Sequence, residues 1–434
     1  MKRAKSICEF IQGIFLIGAL TLLLIIVFNS FIPRLSMAQQ QPTPPIDPAY
    51  PPPGETRAAP SPVITDTETP LDSLSTITPV PITPFPTLTL RPGPIPTPIP
   101  ILGPAQDATG SIIFVAKENK DAKSTIYSVE MDAKGEKTDN PAKMSFEEAQ
   151  TDGFIFPSPN GDYLAITGPW GSLSIYNTDK GIFEKTALSL GAEGIFFNWF
   201  PDNRQILWGG GALVLADPIS GEQTTLVVPG YGGITGAAAS PDGQYVVYAY
   251  SSDTIYESGL WIIEASGQNP RLLSKGVSPT NIAWSPDGKR IAFFGMGWQV
   301  IDADGSNLRE IAPGIILPQC YFLPPLWSPD SRSLAVVTSD SGSSFCHGWT
   351  EDNFSGTNIV LIDVESGKAQ PLLSDGSLGN IDPTWSPDSS QIAFVSIRGG
   401  TPEVWVANAD GSNLRQLTEN DYLARFPKWR KPKQ

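Results

Sequence analysis

One histidine, His347, is the sole imidazole in this chain of 434 residues, and three cysteines, Cys8, Cys320 and Cys346, are its only thiols. Ser-His-Asp catalysis needs a base within hydrogen-bond reach of a nucleophile, so it would have to be built around His347. The Gly-x-Ser-x-Gly elbow of an α/β-hydrolase is missing, and no space for such a domain follows Trp429, so that class is not expected. One histidine and two cysteines cannot complete a closed or catalytic zinc site. Cys8 precedes a long apolar run. Cys320 and Cys346 could close a loop of roughly 25 residues, a constraint of about 3 kcal/mol in an oxidising compartment, or they could be two separate thiols.

Carboxylates are plentiful: 44 Asp and Glu against 29 Lys and Arg give a net charge of −15. Two of them meeting in a pocket could cleave a polysaccharide by hydrolysis or elimination, although the sequence does not say which would converge. No Lys/Arg stripe exists to neutralise phosphates, so nucleic acid is not an expected partner. The segments Val300-Ile-Asp-Ala-Asp-Gly305-Ser-Asn307 and Val406-Ala-Asn-Ala-Asp-Gly411-Ser-Asn413 offer the oxygen ligands a calcium ion takes. They lack the later Glu of a helix-loop-helix calcium site and read equally as hairpin turns, so neither a metal nor a cofactor is expected.

The elements that would hold such groups repeat. Trp284-Ser-Pro-Asp-Gly-Lys-Arg-Ile-Ala-Phe293, Trp327-Ser-Pro-Asp-Ser-Arg-Ser-Leu-Ala-Val336 and Trp385-Ser-Pro-Asp-Ser-Ser-Gln-Ile-Ala-Phe394 are clear copies of one unit. Weaker copies start at Pro157, Trp199 and Ala239, so the starts are spaced by 42, 40, 45, 43 and 58 residues. That period is one propeller blade. Each unit reads as a short apolar strand, a Pro-Asp-Gly turn, an alternating strand, a third strand, the Asp-Gly-Ser-Asn turn and a fourth strand. Ser111–Val115 and Thr125–Asp132 read as second and third strands with no first strand before them. Arg425-Phe-Pro-Lys-Trp429-Arg430 has the form of that missing strand, since Trp429 follows Trp385 by 44 residues. The expected fold is therefore all-β, a seven-bladed propeller of four-stranded antiparallel blades, closed by the C-terminal strand completing the N-terminal blade. Six blades is the alternative if the copy at Trp199 is misread.

The chain divides into residues 1–38, 39–108 and 109–434. Lys2, Arg3 and Lys5 precede an uncharged run from about Ile11 to Phe31, long enough to cross a hydrocarbon core of about 30 Å with the basic flank on the cytoplasmic side. Ser36 and Ala38 fit a signal-peptidase site, so a retained anchor and a signal cleaved near Ala38 are both open. Residues 39–108 are rich in Pro and Thr, cannot form a core, and could extend on the order of 200 Å as a stalk.

The repeats resemble those of TolB-like propellers, in which Trp-Ser-Pro-Asp-Gly-x-x-Ile-Ala-Phe and Asp-Ala-Asp-Gly-Ser-Asn recur. The match covers about three quarters of the chain. The family's namesake carries an α/β domain where this chain has its Pro-rich stretch, so the resemblance is to the repeat family and not to that protein. It implies an interaction platform in the bacterial cell envelope, outside the cytoplasmic membrane, monomeric as a propeller, with an envelope protein or a glycan as partner.

Regular turns are structural, and variable loops more often bear function. The connections between second and third strands carry Trp170, Tyr256, Trp298 and Arg398. An insertion from Ser339 to Thr357 adds Cys346, His347 and Trp349, and Cys320 falls at the same end of the ring. These residues are the candidate ligand face; the aromatic ones read equally as covers of blade ends. No catalytic residue stands out.

Overall fold

The computed structural model describes residues 105–117, 125–144, 155–167, 172–188, 196–229, 232–252, 258–276, 279–315, 324–339, 356–374, 379–419 and 423–431. The apolar run at 11–31, the Pro-rich stretch up to residue 104, and Trp170, Tyr256, Cys320, Cys346, His347 and Trp349 lie outside them. Among the described residues no helix is long and apolar enough to cross a membrane.

Among the described residues, twenty-eight strands form seven four-stranded antiparallel sheets. The first blade holds β1 (Gly110–Ala116), β2 (Thr125–Met131) and β3 (Ala142–Lys143). The second runs through β4 (Ile155–Pro157), β5 (Tyr163–Thr167), β6 (Leu173–Asn177) and β7 (Ile182–Glu184), and the third through β8 (Phe196–Trp199), β9 (Ile206–Gly209), β10 (Leu213–Ala216) and β11 (Gln223–Val227). β12 (Gly233–Ala239), β13 (Tyr245–Ser251), β14 (Gly259–Glu264) and β15 (Arg271–Lys275) make the fourth. The fifth has β16 (Thr280–Trp284), β17 (Arg290–Phe294), β18 (Trp298–Asp302) and β19 (Arg309–Glu310). The sixth has β20 (Leu326–Trp327), β21 (Ser333–Ser339), β22 (Thr357–Asp363) and β23 (Ala369–Pro371). The seventh has β24 (Asn380–Trp385), β25 (Gln391–Ser396), β26 (Glu403–Asn408) and β27 (Arg415–Gln416), after which β28 (Arg425–Arg430) pairs with β1 and completes the first blade. The segment at Trp199 forms a regular blade, so the count is seven.

First strands of neighbouring blades meet around the ring, β8 with β12, β12 with β16, β16 with β20, β20 with β24 and β24 with β28, which puts them innermost, around the axis. Seven apolar cores lie between consecutive blades, each built from two of them. Burial against the neighbour is what lets such short strands persist, because no blade could cover its own two faces.

The repeat residues explain one another. In Trp-Ser-Pro-Asp-Gly, the Ser285 hydroxyl donates to Asp287 Oδ1 at 2.6 Å and accepts from the Arg290 N–H at 2.9 Å. Ser240, Ser328 and Ser386 do the same. The fifth turn residue has positive φ, 72° at Gly288, and where it is not glycine the backbone keeps that conformation, at 61° for Asn203, 62° for Ser331 and 68° for Ser389. Those three side chains accept a hydrogen bond from the preceding blade: Asn203 Oδ1 from the Asn160 N–H (2.7 Å), Ser331 Oγ from Asp287 (3.0 Å) and Ser389 Oγ from Asp330 (3.0 Å). Losing the glycine strains the turn and gains a tie between blades.

The motif tryptophans are clasps. Trp199, Trp284, Trp327 and Trp385 each donate their indole N–H to a carbonyl on the preceding blade's first strand, those of Phe156, Ala238, Ala283 and Leu326, at 2.7 to 3.2 Å. Replacing Ser285, fully buried, by Ala is expected to remove two hydrogen bonds and lower the stability of the propeller by about 1–2 kcal/mol, read as a fall in the urea midpoint at unchanged slope. An unchanged midpoint would mean the turn holds without its relay.

Candidate functional site

Chain direction fixes which groups share an end of the ring. The turns joining first to second strands and third to fourth strands lie at one end; the connections between second and third strands and between blades lie at the other. At the first end the polar groups are occupied by the turns themselves. Asp304 Oδ1 accepts from the N–H and hydroxyl of Ser306 (2.8 and 2.6 Å), and Asp410 Oδ1 accepts likewise from Ser412 (2.9 and 2.6 Å). These bonds from Ser306 and Ser412 hold both carboxyls below the usual range. A cavity of about 420 Å³ opens at this end between the sixth and seventh blades, lined by Ser328, Asp330, Asp363, Lys368, Trp385 and Ser389 among others. Its carboxylates are spoken for too: Asp330 Oδ1 accepts from Ser328 Oγ and the Arg332 N–H, and Asp363 Oδ1 from Ser366.

Of the sequence candidates at the other end, the structure places two. Trp298 is 1% exposed. It opens β18, meets Phe294 edge-on at 5.3 Å and packs in the core between the fifth and sixth blades, so it is a packing residue and not part of a ligand face. The residue that the same hairpin tip presents is Met296, 94% exposed. Arg398 sits half-buried in the β25–β26 connection, its guanidinium carbon 5.0 Å from the centre of the Trp405 ring and its Nε 3.2 Å from Ser396 Oγ. That clamp holds a cation at the loop end.

A second polar constellation, which motif reading missed, lies where the ring closes. β24 and β28 are neighbouring first strands. On them Arg425 Nε meets Asp382 Oδ2 at 2.9 Å, with the side chains 6% and 3% exposed. The Phe426 N–H adds a 3.2 Å bond to the same oxygen, and the Arg425 guanidinium lies 4.6 Å from the Phe426 ring centre. Asp382 and Phe426 both have positive φ, 52° and 54°, and each precedes a proline, Pro383 and Pro427. A bulky residue in that region is strained and persists only where its surroundings over-determine it. Here the strain coincides with register shifts between Ile381 and Thr384 on one strand pair and between Ile113 and Val115 on the other.

The closing junction departs from the clasp rule as well. Trp429 donates its indole N–H to the Ala108 carbonyl at 3.2 Å, and its backbone N–H donates to the Thr384 hydroxyl oxygen at 3.1 Å. Outside the axis, Gln391 Nε2 donates to the Lys134 carbonyl (2.7 Å), and Arg415 reaches Gln391 Oε1 (3.0 Å) and pairs with Glu136 (3.2 Å). Gly135, at φ 73°, permits this approach: a Cβ there would lie 2.0 Å from Gln391 Oε1.

Charge on the described first strands is confined to this junction. β4, β8, β12, β16 and β20 read Ile-Phe-Pro, Phe-Phe-Asn-Trp, Gly-Ile-Thr-Gly-Ala-Ala-Ala, Thr-Asn-Ile-Ala-Trp and Leu-Trp, without a charge. β24 carries Asp382, and β28 carries Arg425, Lys428 and Arg430. Lys428 is half-buried, and burial lowers its pKa against the upward pull of Asp382. Arg430, lowered by burial too, donates to the Gly161 carbonyl and to Ser111 Oγ, each at 3.0 Å. The signal for this site was present in the sequence as charged residues on strands that elsewhere are apolar or small.

No family model matches the chain. Over 137 residues it is 26% identical to the Tol-Pal system protein TolB of Anaeromyxobacter dehalogenans, an alignment covering 30% of this chain and 26% of that protein. The repeats are TolB-like. An uncharacterized protein of Agrobacterium fabrum is 24% identical over 234 residues, 53% of this chain and 60% of that protein, so the chain spans less than two thirds of these relatives. The crystal structure of TolB from Acinetobacter baumannii superposes with a TM-score of 0.41 at 15% identity, covering 74% of this chain and 83% of that one.

Proposed function

We propose that the chain is an interaction module: a TolB-like propeller held outside the cytoplasmic membrane of a bacterial cell, tethered by its N-terminal segment or secreted, that binds an envelope protein or a glycan. The observation that carries this reading is the contrast between the two ends of the ring. One end is a set of near-identical turns whose serines and aspartates bond within the turn or to the next blade. The other end bears connections of unequal length, from residues 295–297 to the insertion at 340–356, with Arg398 clamped on Trp405 and Met296 in solvent. A rigid ring presenting irregular loops suits recognition.

Two further points support binding over chemistry. Asp382, the one carboxylate on the described first strands, already neutralises Arg425. The carboxylates of Asp107, Glu184, Asp217, Asp304, Asp363 and Asp410 are displaced downward, whereas a general acid acting on a glycoside needs an upward displacement.

The test uses the full chain. Envelope extracts and a glycan panel are probed with the wild type and with a Trp349→Ala, Arg398→Ala variant. Loss of about tenfold in affinity for a ligand that the wild type binds is the expected result. Equal binding of every ligand by both proteins would place recognition elsewhere. Fractionation and protease accessibility of intact cells check the location, the propeller being expected in the envelope fraction and open to external protease once the outer layers are permeabilised.

A further inference from the structure

The axis of the ring gives a second inference, independent of the loops. We propose that the channel wall at the closing junction binds a carboxylate-bearing ligand, with the Lys428 ammonium as its direct contact and the Asp382–Arg425 pair as the fixed backdrop that selects its charge.

Placement is the first argument. The protein is acidic by 15 charges, yet the charged side chains on the described strands around its axis are three cations and one anion, all on β24 and β28. Low-dielectric walls with one sign of charge focus the potential in a passage and draw in the opposite charge. The neighbouring described first strands carry no charge to cancel it.

Lys428 supplies the second argument. Arg425 is committed to Asp382, and Arg430 to Gly161 and Ser111. Lys428 makes no hydrogen bond or ion pair with the described residues, although burial disfavours its charged form. The side chain is crowded by protein and still touches solvent, as a group lining a narrow wet passage does. An ammonium has three donors and no acceptor, and a partly desolvated one gains most from an anion.

Asp382 narrows the class. Its charge is near enough to Lys428 to support the ammonium, so it repels a second negative charge on whatever binds there.

D-glucuronate and D-glucose, which differ by a carboxylate, and inorganic phosphate at pH 7.5 are the probes, titrated calorimetrically into the full chain. Glucuronate is expected to bind at least about tenfold more tightly than glucose or phosphate. Lys428→Met should lose about tenfold for glucuronate, with Lys428→Arg within about threefold of wild type. Because Lys428→Met removes a buried charge, its melting temperature should equal or exceed that of wild type, so lost binding cannot be lost folding. Equal affinity for glucose and glucuronate, tighter binding of phosphate, no binding of glucuronate at 50 mM (roughly the weakest affinity such a contact supports), or full binding by Lys428→Met would each overturn the proposal. The loop variant Trp349→Ala, Arg398→Ala should bind glucuronate as wild type does, which separates this site from the recognition face.

Discussion

A chain ending at Ala424, lacking β28, is expected to lose cooperative unfolding altogether. β28 is one strand among twenty-eight, but it is the strand that makes the ring a ring. Its removal exposes the inner edge of β1, which it pairs from Ser111 to Val115, and uncovers the core between the seventh and first blades, where Trp429 packs with Ile112, Phe114, Val404 and Val406. Deleting one buried aromatic side chain costs about 3–5 kcal/mol, and here Phe426 and Trp429 go together, against a total stability on the order of 5–15 kcal/mol. The edge left behind is an unprotected template for pairing between chains. The truncated chain should show a broad urea transition, lost near-ultraviolet dichroism and aggregation, and a peptide of residues 424–434 added in excess should restore part of the sharp transition by mass action. A truncated chain with the wild-type midpoint and slope would mean that six complete blades and an open first blade are enough.

Closure of this kind was readable from spacing, because Trp429 keeps the period of Trp385 and the N-terminal blade lacks a first strand. The blade count was readable too, although the copy at Trp199 has lost both its serine and its glycine. It survives since Asn203 takes the positive-φ position and the Phe200 N–H still bonds the Gln205 carbonyl at 2.8 Å. Of the two readings open for Trp298, burial favours the packing one for a local reason: Phe294-Gly-Met-Gly-Trp298 looks like a loop bearing an aromatic, yet β18 begins at the tryptophan, and its pairing with Phe294 turns the ring inward. The tight hairpin then leaves Met296 outside.

The polar constellation at the junction was hidden for a global reason. Asp382 and Arg425 belong to different repeats, and the charges that set β24 and β28 apart from the other first strands do not say that these two side chains meet. They become partners only when the last strand docks beside the first strand of the seventh blade. Periodicity locates strands, and it is silent about which pairs of unlike residues the final docking step brings together.

That docking step makes the second large effect. Asp382→Ala is expected to destabilise the propeller by about 3–5 kcal/mol, because it takes from the Arg425 guanidinium, 6% exposed, the carboxylate that it pairs with at 2.9 Å. It also strips the Phe426 N–H of its acceptor at a residue already held at positive φ. Adding Arg425→Met should recover most of the loss, since an apolar pair carries no buried charge, and that rescue distinguishes the electrostatic cause from a simple cavity. A pH series separates the contribution of Lys428. Its folded pKa lies below its unfolded value, so between the two the unfolded chain holds more protons and stability rises with pH. Asp382 is the group pulling that folded value up, so its removal lowers the value further and widens the window downward. Asp382→Ala should therefore gain more stability than wild type between pH 7 and pH 10, measured by urea midpoints, and Lys428→Met in the same background should flatten that gain. If the rescue fails and the pH slopes of wild type and variant coincide, Asp382 matters for the shape of the bulge at Ile381–Thr384 and not for the charges that the closing strand carries to the axis.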